Sequence, residues 1–249
     1  MNRVAITLLL LLPILAGCSM KNEGIVDPAS TGDDYFNDVV YLNGAYYTTN
    51  RNALNDAHNE NYLYRLNDDG IIESRFNLGM SDQGYFSAAT DGNLIYLTGQ
   101  PFSIVAVNDA GERVAWSFSH PGFTAWDAAS ILFHPATDSL YLITQQHRDG
   151  NTRFRMYRFN GPALDFVLAH TAELTGSYDL LAIEANAAGT SLYGIAVDEQ
   201  NSRVILHFNR WLGNGTREIA PDPLASGICL SATGWKLSSD DRRLIDFIP

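Results

Sequence analysis

Four times along this 249-residue chain an alternating strand-like stretch ends on an apolar or aromatic residue followed by asparagine: Leu66-Asn67, Val107-Asn108, Phe159-Asn160 and Phe208-Asn209. The asparagines are 41, 52 and 49 residues apart, and each is followed within four residues by a glycine, at Gly70, Gly111, Gly161 and Gly213. Asparagine and glycine tolerate the backbone angles that a tight hairpin needs, so each pair marks a chain reversal. A repeat of this length containing several short strands confines the chain to an array of antiparallel modules, and the β-propeller of four-stranded blades is the architecture that fits. A β-sandwich could imitate the strand spacing, but has no reason to place the same residue at the same point of each unit.

Two further features keep the same register. Upstream, an apolar residue precedes tyrosine at Ala45-Tyr46, Ile95-Tyr96, Leu140-Tyr141 and Leu192-Tyr193. Downstream of each glycine stands a residue suited to packing between blades, at Phe76, Trp116, Phe166 and Ile219. The repeats predict one domain over 35–249, with blades at about 35–80, 81–122, 123–175 and 176–224. Residues 225–249 offer three strands, so a fifth blade lacks its outermost one, and Gly24-Ile25-Val26-Asp27 is the unassigned strand-like piece able to close it. The expectation is all-β: five four-stranded blades closed by an N-terminal strand, which would remove an exposed sheet edge. A truncated six- or seven-bladed ring or an open array is the alternative.

The chain opens with Met1-Asn2-Arg3, an apolar run from Val4 to Ile14, and then Leu15-Ala16-Gly17-Cys18. The run is too short to span a bilayer, which takes about 20 residues, and its basic start and small-residue exit read as a signal peptide over 1–17. Leu15-Ala16-Gly17-Cys18 resembles the lipobox of bacterial lipoproteins. That resemblance implies a lipidated, palmitate-bearing Cys18, a tether over 18–34, and anchoring in the cell envelope. In a Gram-negative cell, Ser19 implies the outer membrane, facing the periplasm. The formal net charge of −12 opposes binding to phosphate backbones and anionic headgroups, so no nucleic acid is expected and the membrane partner is reached through lipid. With Cys18 lipidated, Cys229 has no cysteine left to pair with and is expected to be buried and inert.

The stretch AVNDAGERVAWSF also resembles the repeats of quinoprotein-type propellers, a family that includes the lipoprotein of the outer-membrane β-barrel assembly machinery. The Gly-to-Trp spacing is one residue longer than usual, and the other blades replace Trp116 with Phe or Ile. The resemblance implies blade grammar and no particular subfamily.

Chemistry in a propeller gathers where the innermost strands begin, around the central channel. The candidates are Phe36-Asn37-Asp38, Phe86-Ser87, Trp126-Asp127, Tyr178-Asp179 and Ile228-Cys229. Converging carboxylates of Asp38, Asp127 and Asp179 could tune one another's pKa for acid/base work or hold a hard cation, with Phe36, Asn37, Phe86, Ser87, Trp126 and Tyr178 completing a ligand funnel. The same aspartates would also serve simply to accept backbone N–H groups at turns. Five-bladed propeller glycosidases carry three acidic residues on innermost strands, and Asp38, Asp127 and Asp179 or Glu184 are placed similarly; that resemblance implies glycoside hydrolysis by two of them.

His58, His120, His134, His147, His170 and His207 form no pair at metal-ligand spacing, and no phosphate-binding loop, dinucleotide fingerprint or nucleophile elbow is present. Neither metal nor cofactor is expected. The leading expectation is a protein-interaction or ligand-binding module, using the polar inserts at 50–61 and 145–153 to meet an envelope protein or small ligand. The alternative is an envelope hydrolase using the channel-mouth carboxylates.

Overall fold

The computed structural model describes residues 22–23, 35–51, 60–80, 85–99, 103–119, 128–160, 165–240 and 243–249. They form a five-bladed β-propeller. Blade one contains β1 (Asn22–Glu23), β2 (Tyr35–Leu42), β3 (Ala45–Arg51), β4 (Glu60–Leu66) and β5 (Ile72–Met80). Blade two contains β6 (Tyr85–Thr90), β7 (Ile95–Gly99), β8 (Ser103–Val107) and β9 (Arg113–Ser119). Blade three contains β10 (Ala128–His134), β11 (Ser139–Arg148), β12 (Asn151–Asn160) and β13 (Asp165–Thr175). Blade four contains β14 (Tyr178–Ala185), β15 (Ser191–Asp198), β16 (Arg203–Asn209) and β17 (Thr216–Ile219). Blade five contains β18 (Ala225–Ser231), β19 (Gly234–Ser239) and β20 (Leu244–Phe247). Every sheet is antiparallel, and strands follow one another outward from the axis, with β1 added outside β5.

The sequence decides which strand lies innermost. β18 (ASGICLS) is buried at six of its seven positions, as a run of small and apolar residues must be when neighbours cover both faces. At the other extreme β17 (TREI) is exposed throughout. The five innermost strands β2, β6, β10, β14 and β18 contact one another in sequence, and β18 returns to β2. Between blades lie five apolar clusters, one per seam. Phe76 and Leu97 mark the first, Ile104 and Phe166 the second, Phe154 and Phe208 the third, Ile205 and Leu237 the fourth, and Phe36, Tyr64 and Cys229 the seam that closes the ring.

The repeated asparagine does what its spacing predicts. Asn67 Oδ1 accepts the N–H groups of Asp69 and Ile71, Asn108 Oδ1 those of Ala110 and Glu112, and Asn209 Oδ1 those of Trp211 and Gly213. Gly70 and Gly111 take the left-handed position with φ of 77° and 73°. In blade four that position falls to Leu212 (φ 61°) and not to Gly213. A left-handed non-glycine residue costs about 1–2 kcal/mol, and burial of the Leu212 side chain in the seam between blades three and four offsets it. The equivalent turn after Asn160 lies outside the described residues. Of the residues expected to pack between blades, Phe76 and Phe166 are buried, whereas Ile219 is 63% exposed.

Gly24-Ile25-Val26-Asp27, expected to complete blade five, lies outside the described residues. The residues just before it, β1, pair with β5, Asn22 opposite Phe76 and Glu23 opposite Arg75. Blade five thus shows three described strands, ending in the four-residue edge β20; short edges limit unwanted strand pairing.

Candidate functional site

Each innermost strand carries one extra residue relative to its partner strand. The bulges fall between Phe36 and Val39, Tyr85 and Ser87, Ala128 and Ser130, Leu180 and Ala182, and Ala225 and Gly227. A bulge bends a strand and re-aims its side chains. Here the repeated bend brings polar residues of different blades together beside the axis.

Asp38 is the centre of that layer and is 1% exposed. Its carboxylate accepts the N–H groups of Val39 (2.9 Å) and Ala88 (3.0 Å), the Ser87 hydroxyl (2.8 Å), and the N–H of Ile228. Ser87 Oγ lies 2.8 Å from Ser130 Oγ and accepts the Ile131 N–H at 3.1 Å. One carboxylate therefore ties blades one, two and five together directly, and blade three through Ser87. Blade five also donates the hydroxyls of Ser226 and Ser238 to the carbonyls of Phe36 and Asn37, each at 2.7 Å. Glycine at 227 permits this approach, since a Cβ there would stand 2.7 Å from Asp38 Cα and 2.8 Å from the Asn37 carbonyl. Asn37 donates to the Tyr85 carbonyl at 2.9 Å, and Thr49 donates to the same oxygen at 3.0 Å.

Glu184, half-buried on β14, shares the field of Asp38. Burial pushes the Glu184 carboxyl up to about 8, with the Asp38 charge adding to it, and burial pushes Asp38 up to about 7 against its hydrogen bonds. The N–H groups of Val39, Ala88 and Ile228 can only donate, which favours the charged form of Asp38. Of the two carboxyls, Glu184 is the more readily protonated. Cys229 is buried on the neighbouring strand, and burial together with the Glu184 and Asp38 carboxyls pushes its thiol well up, which makes it a poor nucleophile.

Asp179 has a different setting. At the end of the propeller where the innermost strands begin, the β11–β12 hairpin turns through Asp149 and Gly150 at φ of 53° and 76° and lies alongside the start of β14. Asp179 Oδ1 is 2.9 Å from His147 Nε2 and accepts the Gln145 amide at 3.2 Å, with 65% of the Asp179 side chain exposed. The Gln145 carbonyl accepts the Leu180 N–H at 2.7 Å. His147 Nδ1 faces Ser177 Oγ at 3.2 Å and Thr152 Oγ1 at 3.3 Å. Carboxylate, imidazole and hydroxyl thus stand in line, an order in which an imidazole oriented by a carboxylate can accept the hydroxyl proton.

The expected funnel therefore resolves into two sites. Phe36 packs in the closing seam, 6.1 Å from the Tyr64 ring; Asn37 and Ser87 bridge blades; Tyr178 is 6% exposed between blades three and four; Phe86 is half-buried. Asp38 meets Glu184 in the buried core, while Asp179 meets His147 in solvent. Trp126, Asp127 and the lipobox Cys18 lie outside the described residues. Ser130, Ser226, Gly227 and Ser238 enter from structure alone. Ser130 and Gly227 stand directly ahead of the buried Ile131 and Ile228, in the third blade three residues later than Asp127. Among the described residues no group of three or more His, Cys, Asp or Glu is placed to hold a metal ion.

No protein-family model and no curated relative matches the chain. Among solved structures it is similar to the crystal structure of Myxococcus xanthus glutaminyl cyclase, at 13% identity and a TM-score of 0.52, over 86% of this chain and 93% of that one. At this identity the likeness is one of fold.

Proposed function

We propose that this chain is a lipid-anchored propeller of the bacterial cell envelope that binds a ligand or protein partner at the rim formed by blades three and four. The observation that carries this reading is the contrast between its two aspartates. Asp38 is 1% exposed and takes donors from three blades, so it closes the ring, whereas the Asp179 side chain is 65% exposed and stands with His147 and Gln145 on a rigid frame. The hairpin of the polar insert at 145–153 supplies two of the three. A photo-crosslinking residue at the exposed Gln146, in cells, is expected to yield an adduct that the same residue at Glu112 in blade two does not. Identical adducts from both positions would sink the rim as the binding surface. Lipidation is tested separately: Cys18→Ala is expected to abolish palmitate incorporation and release the protein from membranes.

The line from Asp179 through His147 to Ser177 favours a second reading, an envelope hydrolase. That the fold is shared with an enzyme, a glutaminyl cyclase, is compatible with it. In this reading Ser177 Oγ attacks a carbonyl, His147 Nδ1 takes its proton and passes it to the leaving group as the acyl–Ser177 bond forms, a water then releases the acyl group by the same route, and Nε2–H stays hydrogen-bonded to Asp179. The glycosidase form has less support, because Asp38 is enclosed by its own hydrogen bonds and has no room for an attacking water. Labelling by a fluorophosphonate probe that disappears in Ser177→Ala would favour hydrolase over binder, and no labelling would leave the binder.

A further inference from the structure

The pairing of β1 fixes where the start of the chain leaves the propeller. Asn22 and Glu23 sit opposite Phe76 and Arg75 on the outer side of β5, so the chain joins the ring at the peripheral edge of blade one. β1 is antiparallel to β5, so Asn22 lies nearer than Glu23 to the Met80 end of β5, the end at which the innermost strands begin. Only four peptide steps separate Cys18 from Asn22, a reach of at most ~14 Å when fully extended.

We infer that the propeller sits side-on to its membrane: the lipid on Cys18 holds the outer edge of blade one against the bilayer surface, and blades three and four face the aqueous compartment. The inference rests on the lipidation of Cys18 proposed above. A tether this short cannot carry the anchor round the ring to another blade. Ile71, leading into β5, gives blade one an exposed apolar side chain, at 59% exposure. The overall charge of −12 opposes broad contact with anionic headgroups, so one anchored edge is favoured over a face laid flat on the bilayer.

The test uses the full-length lipidated protein on phosphatidylethanolamine–phosphatidylglycerol vesicles with an acceptor dye on a headgroup. A donor dye is placed in turn on Ser74→Cys in blade one, Val167→Cys in blade three and Ile219→Cys in blade four; Cys229 is buried and stays unlabelled. With blade one held within the ~14 Å reach of the anchor, the dye at position 74 is expected to transfer about two-fold more energy than either of the others. Equal transfer from all three, or more from position 167 or 219, on protein bound to the vesicles overturns the orientation and leaves lipidation standing. An N-terminal peptide whose mass shows no lipid, with protein that stays off the vesicles, overturns both.

Discussion

Two aspartates at the start of innermost strands have opposite fates. Asp38 in blade one is enclosed by four donors from three blades, while Asp179 in blade four stands in water beside one histidine and one glutamine. The difference is positional. Asp38 falls within a strand bulge and is aimed at the axis, whereas Asp179 precedes the bulge at Leu180 and meets the long β11–β12 hairpin. Residue type supplied a carboxylate in both places, and local backbone geometry made one a tie rod and the other a surface group.

The comparison would break most visibly at Asp38. In Asp38→Ala the N–H groups of Val39, Ala88 and Ile228 and the Ser87 hydroxyl lose their acceptor inside the protein, and each buried orphan costs about 1–3 kcal/mol. Partial rearrangement will recover some of this, so a loss of about 3–5 kcal/mol is expected, read as a fall in the urea midpoint. A change below about 1 kcal/mol would mean that Asp38 does not hold the ring closed. Gly227→Ala tests the same closure from blade five. Its methyl would press on the backbone of β2, which cannot swing aside as a side chain could. Overpacking of this kind costs about 1–3 kcal/mol.

Glu184 sharpens the comparison through pH. Its folded carboxyl lies near 8 and that of Asp38 near 7, both above the values of 4.5 and 3.8 expected for free side chains. A carboxyl with a raised folded pKa contributes stability that is fully present below the unfolded value and lost as pH rises through the folded one. Wild-type protein is therefore expected to lose stability between about pH 5 and pH 8 through these groups, and Glu184→Gln to flatten that loss in denaturant titrations. The seam between blades three and four acts in the opposite sense on the acid side. His134 is buried, its Nε2 has no hydrogen-bond partner among the described residues, and burial and then the Arg210 charge hold its pKa below the usual value. Its contribution is lost as pH falls from about 6.5. A Glu184→Gln profile with the wild-type slope above pH 7 would show that the channel carboxyl is not the proton holder.

The fold was legible because its punctuation is local. Asn67, Asn108 and Asn209 each cap a hairpin with their own side chain, so the blade period could be counted without knowing any long-range contact. The core site was only half legible. Asp38 and Ser87 stood out as polar residues at strand starts, but the bulge that unites them with Ser130 and Gly227 depends on pairing with the second strand of each blade, which nothing near those residues encodes. Blade three shows the cost. Counting the same interval there gives Asp127, whereas the bulge and its serine lie at 130. His147 does not stand out in the sequence because its partners, Ser177 and Asp179, are some 30 residues away and adjacent only once two blades are packed.

The smallest expected effect on stability is at the rim, and there the comparison is sharpest. Asp179→Ala removes exposed contacts to His147 and to the Gln145 amide, and such surface pairs contribute about 0–1 kcal/mol, so its urea midpoint should stay close to wild type. The Gln145 carbonyl still accepts the Leu180 N–H, which keeps the β11–β12 hairpin against β14. Any activity of the rim should nevertheless fail, because His147 loses the group that orients its ring and the surface loses its carboxylate. A variant folded as the parent yet unable to form the Gln146 crosslink would show that stability and function are divided between the two aspartates. A large loss of stability would instead mean that the rim, like the core, is structural, and would leave the channel around Glu184 as the place to look for chemistry.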